Sequence, residues 1–180
     1  MKRFILMVLA LLVPVVSLAQ TTSNNTFIRV TPTIQASPDY STGDLVGGKL
    51  TFFGALSSLT GTGIVVGGTI ADNAAQVPDV DLVIFESDPS NTTFTENSAL
   101  DIADADLKKI VAIISFRSDD QYTFASNGIE IASGKAKMVR ALTPQGSKNS
   151  TLYGAMVVRE TYNAAAVDDL TVTLHTLGLS

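Results

Sequence analysis

Residues 40–53 read YSTGDLVGGKLTFF, and this stretch decides the fold class. Ser41, Thr42, Gly43 and Asp44 form a polar turn, because glycine tolerates positive φ and aspartate can hydrogen-bond its own backbone. Gly47-Gly48 interrupts the run that follows and marks a bulge or a close backbone approach. Lys49, Leu50, Thr51 and Phe52 then alternate polar and apolar, the pattern of a strand buried on one face. Turn, glycine kink and alternating strand recur to the C-terminus. The reading is a β-sheet domain.

Upstream, Ile28, Val30 and Ile34 alternate with Arg29, Thr31 and Gln35, which predicts a first strand. Pro32 within it predicts an edge position, since proline donates nothing to a ladder. Downstream, the polar turn SSLTGTG leads into a strand over residues 64–72 with Ile64, Val66 and Ile70 on one face. Residues 80–85, VDLVIF, are apolar enough to be covered on both faces. A polar connection over 86–100 follows, with Asp88-Pro89 and Asn97. Residues 103–109 carry the chain's helical signal: Asp104 as N-cap, Lys108 and Lys109 at the C-terminal end, and β-branched residues from Ile110 onward. IVAIISF (110–116) predicts a second buried strand. A short strand over 121–125 and a hairpin-type turn at Asn127-Gly128 come next. Residues 129–142 carry one or two strands split near Gly134, and 144–149 form a turn. In the strand over 151–160, Leu152, Met156 and Val158 face one side, and Tyr153, Ala155 and Val157 the other. Finally Leu170, Val172 and Leu174 alternate with Thr171, Thr173 and His175. About nine strands and one short helix predict a single all-β domain over residues 26–177, a β-sandwich or jelly-roll-like fold.

Composition narrows the chemistry. The 180 residues suffice for one domain with a real core. A net charge of −5, with 12 Lys+Arg against 17 Asp+Glu, lacks the clustered positive charge that nucleic acid requires. No cysteine is present, which excludes disulfides, thiolate metal sites and cysteine nucleophiles. At the N-terminus, Lys2 and Arg3 precede an apolar run from Phe4 to Val16, and Ser17-Leu18-Ala19 supplies small residues at −3 and −1. Residues 1–19 therefore read as a secretory signal-peptide-like leader cleaved before Gln20. The run is short for a spanning helix and holds Pro14, so no stable membrane anchor is expected once the leader is removed. Residues 20–25 read as a polar linker.

Candidate chemistry is sparse. His175 is the one histidine and is expected on the outward face of the last strand, without a second ligand or nucleophile partner. Gly-x-Ser-x-Gly, P-loop, dinucleotide and His-Glu-x-x-His patterns are absent. The carboxylates remain. Asp101, Asp104 and Asp106 crowd together, with Glu86, Asp88 and Glu96 just upstream, and hard oxygen ligands at that density are candidates for a structural Ca²⁺. The segment lacks an EF-hand's glycine turn and its glutamate at position 12, so the competing reading favours Asp104 as a helix cap and the others as solvated loop charges. A paired-carboxylate glycosidase would need two acids across a cleft, and nothing marks a sugar cleft, with tryptophan absent. The sequons at Asn24, Asn91 and Asn149 read as polar loops. No cofactor, no catalytic residue and no small-molecule substrate are expected.

The order of motifs resembles a known group. Gly43-Asp44 leads into Gly47-Gly48-Lys49-Leu50-Thr51-Phe52, then Thr69-Ile70-Ala71-Asp72. Asp81-Leu82-Val83-Ile84-Phe85, Asp88-Pro89-Ser90 and Phe94-Thr95-Glu96-Asn97 follow. Thr151-Leu152-Tyr153-Gly154-Ala155 and Asp169-Leu170-Thr171-Val172 complete the series. This is similar to a family of small β-rich structural proteins of tailed bacteriophages, described as virion or head-decoration proteins, over residues 26–175. The resemblance implies a non-enzymatic, oligomeric virion component that binds a capsid lattice. The leader supports an alternative, an exported bacterial adhesin-like sandwich, periplasmic or secreted, that uses its loops for recognition. A carbohydrate-active or Ca²⁺-dependent enzyme would have to rest on Asp88 or Asp104.

Overall fold

The computed structural model describes residues 23–76, 78–117, 119, 121–132, 137–140 and 150–179. The leader, the split near Gly134 and the turn over 144–149 lie outside them. Ten strands and one helical turn follow in order: β1 (Ser23–Val30), β2 (Leu45–Phe52), β3 (Thr62–Asp72), β4 (Val80–Phe85), α1 (Asp104–Leu107), β5 (Ile110–Phe116), β6 (Gln121–Phe124), β7 (Asn127–Ala132), β8 (Lys137–Arg140), β9 (Leu152–Val158) and β10 (Leu170–Leu179). They form two antiparallel sheets. One has the order β1-β10-β3-β7-β6, with β8 also paired to β3; the other is β2-β9-β4-β5. The first strand pairs with the last, the second with the ninth, β3 with β7 and β8, and β4 with β5. That is a ribbon folded at the β4–β5 connection and rolled into two layers, the jelly-roll arrangement of an all-β sandwich. Ile34, Val46, Leu50, Phe52, Ile70, Leu82, Ile84, Met156, Val172 and Leu174 belong to the core between the layers.

The glycine kink in β2 is both a bulge and a close approach. Val46 pairs with Met156 and Leu50 with Gly154, so residues 47–49 stand opposite Ala155 alone. Gly47 and Gly48 take φ values of 77° and 65°, the left-handed region that residues with a Cβ avoid. A Cβ on Gly47 would lie 2.2 Å from Cβ of Pro32. Pro32 itself lies past the end of β1, which is an edge strand as expected but stops at Val30 and begins at Ser23, inside the segment read as linker.

Other expectations shift by identifiable causes. Ile64, Val66 and Ile70 do not share a face. The β10 ladder runs from His175↔Gly67 to Thr176↔Val65, skipping Val66, and one extra residue flips the side-chain alternation. Val65 and Ile70 are therefore the buried pair. The β6–β7 hairpin turns at residues 125–126, since Phe124 pairs with Asn127, and Asn127-Gly128 opens β7 instead. β4 is buried at all six positions, as its composition demands. β5 is not its equal: it is the edge strand of its sheet, and Ile113 is 48% exposed. An apolar run alone does not tell a central strand from an edge strand covered on one face.

Replacing Gly47 by alanine is expected to cost about 3 kcal/mol, because steric collision adds to left-handed strain. Gly43→Ala, at φ 99° in open space, is expected to cost about 1 kcal/mol. Urea denaturation of the two variants checks the difference; equal costs would contradict the close packing of Pro32 on β2.

Candidate functional site

The carboxylates singled out from the sequence lie in the connection between β4 and β5, at the fold of the ribbon. This connection covers the outer face of the four-stranded sheet. Leu45, Val83, Phe85 and Ala155 form a second, smaller core there, closed by Phe94, Leu100, Ile102, Ile110 and Tyr153. The connection is stitched to the start of β2 by backbone bonds: Leu45 N to Ser98 O (2.9 Å), Asn97 N to Leu45 O (3.0 Å) and Leu100 N to Gly43 O (3.2 Å).

Asp106 pins this cover. It is fully buried and accepts hydrogen bonds from Asn91 N (2.8 Å), Asn91 Nδ2 (3.2 Å) and Thr92 Oγ1 (2.8 Å). Lys109 Nζ lies 2.7 Å from Oδ1, the oxygen that Asn91 Nδ2 also reaches, and also donates to the Asp88 carbonyl at 2.6 Å. Burial alone would push the Asp106 carboxyl up; the Lys109 ammonium, the Thr92 hydroxyl and the Asn91 donors outweigh it and hold the group well below the usual carboxylate range. Asp104 does not cap the helix. Ala103 occupies the N-cap with no side-chain bond, and α1 is a single turn. Asp101 and Asp104 are exposed, so the three aspartates are not gathered around one point. Among the described residues no group of three or more His, Asp or Glu side chains is placed to hold a metal ion.

Glu96 fastens the middle of the cover. It accepts a short hydrogen bond from the Tyr40 hydroxyl and another from Gly48 N at 2.9 Å, so the β2 bulge and this carboxylate form one unit. Tyr40 is buried, stacked on Tyr162 at 5.7 Å between ring centres, and joined to it by backbone bonds in both directions. Burial, with the hydrogen bond and negative charge of Glu96, raises the Tyr40 phenol above its ordinary value. Asp88 meets Lys49 at 2.7 Å on the surface. Asp81, at the far end of β4, lies between Arg117 (2.6 Å) and Arg159 (2.7 Å). Burial works against its charge, yet the bonds from Arg117, Ser115 and Arg159 lower its pKa.

A shallow cavity of about 370 Å³ opens on the cover, lined by Asn91, Thr93, Thr95, Ser98, Asp101 and neighbouring alanines. Asp101 is the one ionisable group among these residues, so the cavity supplies no second acid for paired-carboxylate hydrolysis. His175 lies where the sequence placed it, on the outer face of the six-stranded sheet with Thr171 and Thr173. Its Nε2 is 3.0 Å from Thr69 Oγ1 and its ring meets the edge of Phe27 at 4.8 Å. Partial burial lowers its pKa.

Sequence reasoning missed that outer face. Phe27 on β1, Ile131 on β7, and Tyr122 and Phe124 on β6 are 60%, 44%, 63% and 63% exposed. They share it with Thr171 and Thr173 of β10 and with Thr69, Ile129 and Ala71. On β1, β10, β3, β7 and β6, Arg29 is its one charged residue. The available signal was the alternation of these aromatics with polar residues in short strands, which reads equally as a buried face.

Asp106→Ala is expected to cost about 3 kcal/mol, because it strands three donors and takes the carboxylate partner from half-buried Lys109. The pH dependence has a definite sign. The folded pKa of Asp106 is depressed, so its stabilisation is present above the ordinary carboxyl pKa of about 4 and is lost as pH falls below that value toward the folded one. Unfolding free energies of the wild type and Asp106→Asn should differ most near neutral pH and converge in acid; a gap that stays constant to pH ~2 would contradict the ionised pin.

In comparisons with protein-family models, curated proteins and solved structures, none matches this chain.

Proposed function

We propose that this chain is a non-enzymatic structural protein that packs against a protein lattice, as a capsid-decoration-like component of a phage virion. The observation that carries the reading is the outer face of the six-stranded sheet, where exposed Phe27, Tyr122, Phe124 and Ile131 accompany Arg29 as the one charged residue on that face of β1, β10, β3, β7 and β6. Exposed aromatic and aliphatic side chains on a sheet face poor in charge suit protein contact. Where the structure describes them, the carboxylates support the same reading. Asp81, Asp106 and Glu96 are engaged in holding strands and the β4–β5 cover, which leaves them poorly suited to acid–base work. The jelly roll adds an argument by analogy only, since capsid and lectin domains both use it. Banded virions should contain peptides from residues 23–179 in stoichiometric amount by mass spectrometry, and particles that assemble without the polypeptide would overturn the proposal.

One observation favours a second reading. Lys2-Arg3, the apolar run and Ser17-Leu18-Ala19 have the order of an export leader, which suits an exported surface module whose loops bind. In that case the mature protein begins at Gln20. N-terminal sequencing that finds Met1 on the native protein would remove this reading.

A further inference from the structure

One end of the sandwich holds two buried acids that no cation meets. Asp72 closes β3 opposite Leu170 of β10 and Gly128 of β7. Asn73 N donates to the Asp169 carbonyl at 3.0 Å, so Asp169 stands one position beyond the end of that ladder. The two aspartates are 1% and 8% exposed. Asp72 accepts hydrogen bonds from Ala74 N (2.6 Å) and Gln76 N (3.1 Å), and Asp169 accepts one from Ala166 N (2.5 Å). All three donors are neutral amides of the aspartates' own turns. Among the described residues, no lysine, arginine or histidine lies within ion-pair distance of either carboxylate. Buried Asp81, by contrast, is held by two arginines and buried Asp106 by Lys109. Charge taken out of water without a counter-charge is costly. The Tyr162 hydroxyl is a second unmet group at this end. Tyr162 is 2% exposed and bridged to Tyr40 through its backbone, and its hydroxyl is buried with no hydrogen-bond partner. Burial and then the charges of Asp72 and Asp169 push its phenol well above the ordinary value, so the hydroxyl lies in the field of both carboxylates.

We propose that Ca²⁺ binds at this end of the sandwich, held by the carboxylates of Asp72 and Asp169 with the Tyr162 hydroxyl as a neutral oxygen. Two carboxylates bring the charge that balances a divalent cation. Three amides take up three of their roughly eight lone-pair sites, which leaves acceptor capacity for a metal. Calcium takes about six to eight oxygens in flexible geometry, and backbone carbonyls and water serve it as well as carboxylates do. A site with fewer than three acids is therefore sufficient. Magnesium demands a near-ideal octahedron and gives up its water reluctantly, whereas these oxygens come from separate connections, one after β3 and one between β9 and β10. The ion ties those two connections together, and the paired backbones of Tyr162 and Tyr40 extend the tie to the segment before β2. The site is separate from the Asp101, Asp104 and Asp106 carboxylates of the β4–β5 connection.

Calorimetric titration of the purified protein, freed of metal with EGTA, against CaCl₂ is the test. The wild type is expected to bind one Ca²⁺ per chain with a Kd below about 1 mM, and its Tm is expected to rise by about 5 °C or more at saturating Ca²⁺. Asp72→Asn and Asp169→Asn are each expected to weaken binding at least about tenfold, through the loss of ligand charge. Tyr162→Phe, which keeps the ring in the core, is expected to weaken binding about threefold and to leave the Tm of the metal-free protein undiminished. It keeps the test open should an aspartate variant misfold, and circular dichroism verifies the fold of each. Asp101→Asn is the control and leaves the affinity unchanged. No heat of binding and no Tm shift up to about 5 mM Ca²⁺, or an affinity that none of the three substitutions lowers, overturns the inference. The outcome does not depend on whether the protein is found in virions.

Discussion

A strand that is apolar on both faces needs two covers. Val80–Phe85 supplies Val80, Leu82 and Ile84 to the core between the sheets and Val83 and Phe85 to the opposite side. The six-stranded sheet provides one cover. The other has to come from the chain itself, and it comes from the connection that joins β4 to its neighbour β5. Hydrophobic burial of ~25 cal/mol per Å² drives both closures, but an irregular cover leaves backbone and carboxylate groups that must be satisfied where they lie. The features of the β4–β5 connection follow from that requirement.

Seen this way, the acidic cluster is part of the wall. Asp106 gathers Asn91, Thr92 and Lys109 from both ends of the connection, and Glu96 ties its middle to Tyr40 and the β2 bulge. The bulge is functional for the fold: residues 47–49 are thrown out of the ladder, Gly48 N becomes free to meet Glu96, and Gly47 makes room for Pro32. The donors around Asp106 hold its carboxyl well below the usual carboxylate range. The chemically unspent surface is elsewhere, on the outer face of the larger sheet.

The sequence disclosed the parts that depend on local pattern. VDLVIF announced a central strand by its composition, the Gly47-Gly48 pair announced its bulge, and the outward position of His175 followed from alternation with Leu174. What it concealed depended on pairing. The extra residue at Val66 flips the alternation of β3, and that bulge is set by the β10 ladder. Asp106 sits among three acidic residues of similar local context; only the fold brings Asn91 and Thr92 to it and leaves Asp101 and Asp104 in solvent. Phe27 and Phe124 look like core residues until the strand order places them on a face with no third layer among the described residues.

If the β4–β5 connection is an integral wall, it should open only when the protein unfolds. Native-state hydrogen exchange of the β4 amides over residues 82–85, followed across denaturant, measures this directly. The account predicts an opening free energy equal to that of global unfolding, with the same denaturant slope. Exchange through a smaller opening, at a fraction of the global free energy, would show that the cover lifts independently of the sandwich and would contradict it.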